Sequence, residues 1–123
     1  MGARANIVLN YNKSKEDGEK EEKYSNIYLY SHWGGETIKE LLARALKRGK
    51  ERWDDHSYLA RIIFSEMVKE DIEGKTGFGI SPYPPDNEYP LLHVDMENQN
   101  VKEENGRRGR SYQEFIDRFL VSE

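Results

Sequence analysis

The chain of 123 residues contains no cysteine and no long apolar segment. Without cysteine it has no disulfide framework, no thiolate nucleophile and no cysteine-based zinc site. No segment approaches the roughly 18 consecutive apolar residues that a membrane-spanning helix needs, and the first ten residues lack the apolar run of a signal peptide. We therefore expect a cytoplasmic protein with no membrane partner.

Positive charge is also scarce, since 19 lysines and arginines face 23 acidic residues and the net charge is −4. Generic nucleic-acid binding needs basic surface that replaces the counterions of the phosphates, so this composition argues against it. A local basic pocket for a small anion remains compatible with the composition.

The length and the hydrophobic share of 36% predict a single domain, 1–123, with a compact core. Short β-branched and aromatic runs predict strands at 5–11 and 25–30, which we expect to pair as a hairpin. The intervening run KSKEDGEKEEK has no apolar face, and we interpret it as a mobile charged hairpin tip near 12–24.

Apolar spacing predicts three amphipathic helices. The first runs from 36 or 37 to 48, with a capping box at Thr37 and Glu40, and ends at Gly49 in a left-handed conformation. The second begins at Asp54 or Asp55 and continues to about 71, and the third follows a capping box at 111–114. Further strands are predicted at 78–81, 91–96 and 101–103. The order ββααβββα indicates an α+β fold, a small antiparallel sheet packed by about three helices.

The strand-to-helix corner SHWGG is the first candidate binding element. Consecutive glycines allow a ligand to approach backbone amides closely, and Trp33 is a candidate stacking surface. A tight turn that requires glycine explains the same residues without a ligand. The candidate residues at this corner are His32, Trp33, Gly34 and Gly35.

Arginines near the end of the first helix form the second candidate element, with Arg44, Arg48 and Arg52 as the predicted ligand-binding residues. Cations there also complement the helix dipole, so ordinary helix-end charge is the alternative. Arg61 would either join this basic wall or pair with Asp54 or Asp55. Trp53 is interpreted as a core residue that locks the two helices together.

The loop GKTGFGIS is the third candidate element, in which Gly77, Phe78 and Gly79 would present an aromatic ring and backbone groups to a ligand, or form an inert connection. The three histidines share no metal-ligand spacing, and Asp54 and Asp55 are better explained as helix caps than as paired catalytic carboxylates. We therefore predict no catalytic residue, no metal and no cofactor.

Several uncommon sequence motifs occur between residues 27 and 95: YLYSHWGGE, ALKRGKERWDD, YLARIIFSEMV, GFGIS and DNEYPLLHVD. In these motifs the chain resembles a family of short proteins encoded by bacteriophages and prophages, which has no assigned activity. The resemblance implies a viral or mobile-element origin and action in the host cell cytoplasm. Small phage proteins of this kind often antagonise host defences, by capturing a nucleotide immune signal or by blocking a defence protein.

Three functions follow from these observations. The first is a non-enzymatic protein that sequesters a small anionic, nucleotide-derived ligand, and so evades host antiviral defence. The second is an inhibitor that binds a host defence protein, as anti-CRISPR proteins do. The third is an enzyme that cleaves or hydrolyses nucleotides, which the sequence favours less because it contains no recognisable catalytic motif. A homo-oligomer, in which two chains surround one ligand, is left open.

Overall fold

The computed structural model describes residues 3–11, 25–84, 87–104, 106 and 109–120. These residues form one six-stranded sheet and three α-helices, so the predicted α+β class is confirmed. The predicted hairpin tip near 12–24 lies outside the described residues. The strands are β1 (Ala5–Tyr11), β2 (Ser25–Ser31), β3 (Phe78–Ser81), β4 (Leu92–Asp95), β5 (Asn100–Glu103) and β6 (Arg110–Ser111), and the helices are α1 (Ile38–Arg48), α2 (His56–Val68) and α3 (Tyr112–Phe119).

The strand order across the sheet is β3-β2-β1-β4-β5-β6. β1 and β2 form the predicted antiparallel hairpin, with Ile7 opposite Leu29. On its other side β1 pairs with β4 in parallel, with Ile7 opposite Leu92, so the sheet is mixed and not purely antiparallel as predicted. The difference arises because β3 and β4 both run in the same direction as β1, and the chain between them crosses to the other side of β1. Strand β6 was not predicted, since two residues are too short to show alternation.

The helices cover one face of the sheet. Side chains alternate between the two faces of a strand, and most of those on the helix face are apolar. The opposite face carries mostly polar and aromatic side chains, including Asn10, Tyr28, Tyr30, His93 and Asp95. The core therefore lies between the sheet and the helices, and its buried strand residues are Ala5, Ile7, Leu9, Leu29, Leu92, Val94 and Val101.

α1 packs against both other helices and buries Leu42, Ala45 and Leu46. The predicted capping box at Thr37 is wrong, because the Thr37 side chain makes no cap hydrogen bond. Gly49 does end α1, but its φ is −91° and not left-handed. A Cβ there would lie 3.0 Å from Leu59 Cδ1, so glycine permits the close approach of α2.

α2 begins at the predicted cap, where the Asp55 side chain accepts a hydrogen bond from the Tyr58 amide. It ends at Val68, three residues before the predicted end. Trp53 lies at the corner between α1 and α2, where its indole nitrogen donates to the Leu46 carbonyl at 2.9 Å. The Trp53 ring also packs edge-on against Tyr112 of α3, so the predicted locking role is confirmed.

α3 begins with the predicted capping box. The Glu114 amide donates to Ser111 Oγ, and the Ser111 amide donates to Glu114 Oε1, each at 3.1 Å. These bonds satisfy amides that have no partner inside a helix. The helix buries Tyr112, Phe115 and Ile116 against the core, as its apolar spacing predicts.

Candidate functional site

The two glycines of the SHWGG corner are required by packing. The Gly35 amide donates to the Ala3 carbonyl at 2.8 Å, so this amide is already occupied. A Cβ on Gly35 would overlap the ring of Tyr89, and one on Gly34 would lie 2.5 Å from Ser31 Oγ. The corner is thus a tight turn of the kind considered from the sequence, in which glycine gives room to neighbouring side chains.

The structure brings this corner against the loop that precedes β3. The Trp33 ring, which is 60% exposed, meets Phe78 edge-on at a centroid distance of 6.2 Å. Gly77 has a φ of +95°, and the Trp33 ring fills the space where a Cβ would stand. The His32 amide donates to the Gly77 carbonyl at 2.8 Å, so the corner and the loop form one unit. Gly79 lies beyond it, in β3 opposite Tyr30.

Two of the three predicted arginines are held by acidic residues. Arg44 donates to Glu40 Oε1 at 2.9 Å, and its other terminal nitrogen lies 3.7 Å from Glu66. Arg48 lies 3.2 Å from Glu66 through Nε and donates to the Ile62 carbonyl at 3.1 Å. Since the Glu66 side chain is only 2% exposed, these ion pairs anchor the arginines to the protein.

Arg48 and Arg52 nevertheless open onto a common space. They line a cavity of about 490 Å³ between the end of α1 and the exposed side of α2, which we call the arginine cavity. Neither Arg52 nor Arg61 pairs with a carboxylate in the part of the chain that the structure describes. Arg61 therefore joins the basic wall. The full lining is Arg48, Arg52, Tyr58, Arg61, Ile62 and Ser65.

The arginine cavity contains residues that the sequence interpretation missed. Tyr58 is half-exposed, and the Arg52 guanidinium lies over its ring at 5.3 Å. Tyr58, Arg61 and Ser65 stand three and four residues apart on α2, a spacing that places them on one helix face. That spacing could be read from the sequence. It does not by itself predict a site, because nothing in the sequence of α2 shows that Arg48 and Arg52 lie opposite this face.

Phe78 lines a different cavity, of about 650 Å³, which we call the apolar groove. It lies between α2 and the end of the sheet formed by β2 and β3. Arg61 and Ser65 line this groove as well as the arginine cavity. The groove thus leads from Phe78 to the arginines, whereas His32, Trp33, Gly34, Gly35, Arg44, Gly77 and Gly79 line neither space.

The acidic and histidine side chains that the sequence offered for catalysis or metal binding have other surroundings. Asp55 caps α2, and Asp54 accepts a hydrogen bond from Gln99 at 2.6 Å, so both have structural roles. His93 and Asp95 share the open face of β4 and line a polar cavity of about 330 Å³. Within the described ranges, no three His, Asp or Glu side chains are grouped to bind a metal ion together.

No protein-family model, curated protein sequence or solved structure matches this chain. Among the helices that the structure describes, none is both long and apolar enough to cross a membrane. The chemistry of the candidate site is therefore inferred from its own side chains, which offer three guanidinium groups, a phenol ring and a serine hydroxyl.

Proposed function

We propose that this protein is a non-enzymatic binding protein that sequesters a small anionic, nucleotide-derived ligand in the arginine cavity. The observation that carries the proposal is the convergence of Arg48, Arg52 and Arg61 on one space within a protein of net charge −4. Arginine presents a planar fork of donors that matches phosphate oxygens, and its charge persists at every physiological pH.

The three arginines differ in what holds them. Arg48 is fixed by Glu66 and by the Ile62 carbonyl, so it is oriented before a ligand arrives. Arg52 and Arg61 have no acidic partner among the described residues and retain their full donor capacity. One oriented arginine and two available ones would bind a phosphate without first breaking an ion pair, which lowers the cost of binding.

Tyr58 supports a nucleotide in preference to inorganic phosphate. Its half-exposed ring lies at the same cavity and offers a surface on which a base would stack. The volume of about 490 Å³ lies within the range of roughly 300–1,000 Å³ that is usual for small-molecule sites. Evasion of host antiviral defence is the setting that the resemblance to phage proteins implies for this binding.

Calorimetric titration with AMP, with cyclic dinucleotides and with inorganic phosphate tests the proposal. We expect Arg52→Ala and Arg61→Ala each to lose about 1.5–3 kcal/mol of nucleotide affinity, roughly tenfold to a hundredfold, at an unchanged melting temperature. Lys47→Ala is the matched control, because this exposed cation of α1 lines neither cavity. Chromatography of the recovered nucleotide separates sequestration, which returns it intact, from hydrolysis. Equal affinities in the three variants, or no binding at millimolar nucleotide, would overturn the proposal.

Inhibition of a host protein is the second candidate, and the edge strand β3 is the observation that favours it. β3 ends the sheet, and its Ile80 is 60% exposed. An exposed edge with an apolar side chain is a surface on which a partner would add a strand. In phage plating assays on a defended host, Ile80→Lys would abolish protection if this function holds, while Arg52→Ala would leave protection intact.

A further inference from the structure

The apolar groove exists because α2 does not cover the whole sheet. Ile27 of β2 is 40% exposed although it lies on the helix face, and Ile80 of β3, opposite Leu29 on the same face, is 60% exposed. Phe64 and Val68 of α2 form the opposite wall. The result is an open hydrocarbon cleft on a protein whose other core positions are well buried.

Arg61 links this cleft to the arginine cavity. Together with Ser65 it lines both spaces, and it has no acidic partner among the described residues. Asp71 also lines the groove, ten residues further along the chain and beyond the end of α2. A carboxylate there repels an anion, so charge complementarity favours an anionic ligand group at the Arg61 end of the groove. The apolar remainder of the groove is then suited to a hydrocarbon chain of the same ligand.

Residues 12–23, which follow β1 in the sequence, contain no aliphatic or aromatic side chain, so their composition offers no hydrocarbon group for an apolar site. The walls of the groove also disfavour a base. A purine or pyrimidine edge buried against Ile27, Leu29 and Phe64 would lose hydrogen bonds to water without replacement, whereas an alkyl chain loses none.

We infer that the ligand is an amphiphile: its anionic group binds Arg61 beside Arg48 and Arg52, and its alkyl or acyl chain lies in the apolar groove. The inference deepens the proposed function and rests on it for the anionic half of the site. Two sources share this chemistry, a nucleotide that carries a chain on its phosphate and a simple alkyl phosphate.

Three probes distinguish these sources by calorimetric titration: AMP, the octyl ester of AMP, and octyl phosphate, all below micellar concentrations. Each methylene that leaves water contributes a factor of about 4 in affinity. We expect the octyl ester to bind at least tenfold more tightly than AMP. If octyl phosphate binds as tightly as the octyl ester of AMP or more tightly, the ligand is an amphiphile but a simple alkyl phosphate and not a nucleotide.

Ala60 allows the groove to be filled from within, since this small side chain of α2 lines it. In Ala60→Phe the ratio of octyl-ester affinity to AMP affinity should fall to about 1. Lys47→Phe introduces the same ring on an exposed position of α1 and should keep the wild-type ratio. If Ala60→Phe fails to fold, Ile80→Thr, which makes the exposed wall polar, should lower the ratio.

The inference and the proposed function fail separately. Binding of AMP with a gain of less than twofold from the octyl chain would overturn the amphiphile and leave the nucleotide site standing. A gain that survives in Ala60→Phe would equally overturn it, since the chain would then lie elsewhere. Absence of binding for all three probes would overturn both.

Discussion

The carboxylate of Glu66 lies 3.2 Å from the Nε atom of Arg48, across the contact between α2 and α1. Lys69 approaches the same carboxylate at 2.6 Å and Arg44 at 3.7 Å, so one buried acid is surrounded by three partly exposed cations. This ion-pair cluster holds the two helices together and sets the direction of Arg48. The cavity that Arg48 lines therefore depends on a residue that does not line it.

Replacing Glu66 with glutamine should lower the free energy of unfolding by about 1–3 kcal/mol, because its ion pairs with Arg44, Arg48 and Lys69 are lost. The cost stays at this level since the three cations remain partly solvated. Urea denaturation measures it. Glu70→Gln is the control, as this exposed acid should change stability by less than about 0.5 kcal/mol. Equal stability of the two variants would contradict the structural role of Glu66.

Gly77→Ala should be markedly destabilising, whereas Gly79→Ala should be neutral or slightly stabilising. A non-glycine residue in the left-handed region costs about 1–2 kcal/mol, and at Gly77 the Trp33 ring must also move. At Gly79 the nearest atom to an added Cβ is 4.0 Å away. Urea denaturation gives both values, and the Trp33 fluorescence should change in Gly77→Ala alone. Similar losses of unfolding free energy in the two variants would contradict the packing of the Trp33 ring against Gly77.

The side chains of Ser111 and Thr37, which precede α3 and α1, should contribute differently to stability. Ser111→Ala should cost about 1 kcal/mol because it removes the hydroxyl that accepts from the Glu114 amide, one of the two bonds of the capping box. Thr37→Ala should cost less than about 0.5 kcal/mol, since the Thr37 side chain caps nothing. Thermal denaturation of the pair provides the comparison. A larger loss at Thr37 than at Ser111 would reverse the assignment of the caps.

Stability should fall at high pH because of Tyr112. Burial raises the pKa of the Tyr112 phenol, and the negative charge of Asp95 raises it further. The folded state thus keeps a proton that the unfolded chain releases above about pH 10, so the stabilisation is present below that pH and is lost as pH rises. The loss is at most about 1.4 kcal/mol per pH unit.

Denaturation of Tyr112→Phe between pH 8 and 11 checks this sign. The variant should lose less stability than the wild type over that range, since its ring has no proton to release. Tyr83→Phe, at an exposed position, should retain the wild-type dependence. Parallel pH curves for the wild type and Tyr112→Phe would contradict the prediction.

The elements themselves were largely predictable because they depend on neighbouring residues. The 3.6-residue spacing of Leu42, Ala45 and Leu46 marks a helix face wherever the helix packs. The Ser111–Glu114 box is complete within four residues, and so it formed as predicted. Thr37 has the same local pattern but fails, because the SHWGG turn determines the backbone conformation at that residue.

The candidate site was predictable only in part. The sequence indicated basic and aromatic residues, and three of those that it proposed, Arg48, Arg52 and Phe78, line one of the two cavities. It did not indicate that Arg44 is held by Glu40 and Glu66, nor that Arg61 lies between two cavities. These facts depend on how α2 packs against α1 and on how much of the sheet α2 leaves open.

By itself, the sequence determined which segments are helices and strands, which of their faces are apolar, and where charge is concentrated. All of these follow from residues within a few positions of each other. Only the tertiary structure decided the parallel pairing of β1 with β4, the burial of Glu66 among three cations, and the junction of the arginine cavity with the apolar groove. Each of these joins residues distant in sequence, whose meeting depends on the packing of whole elements.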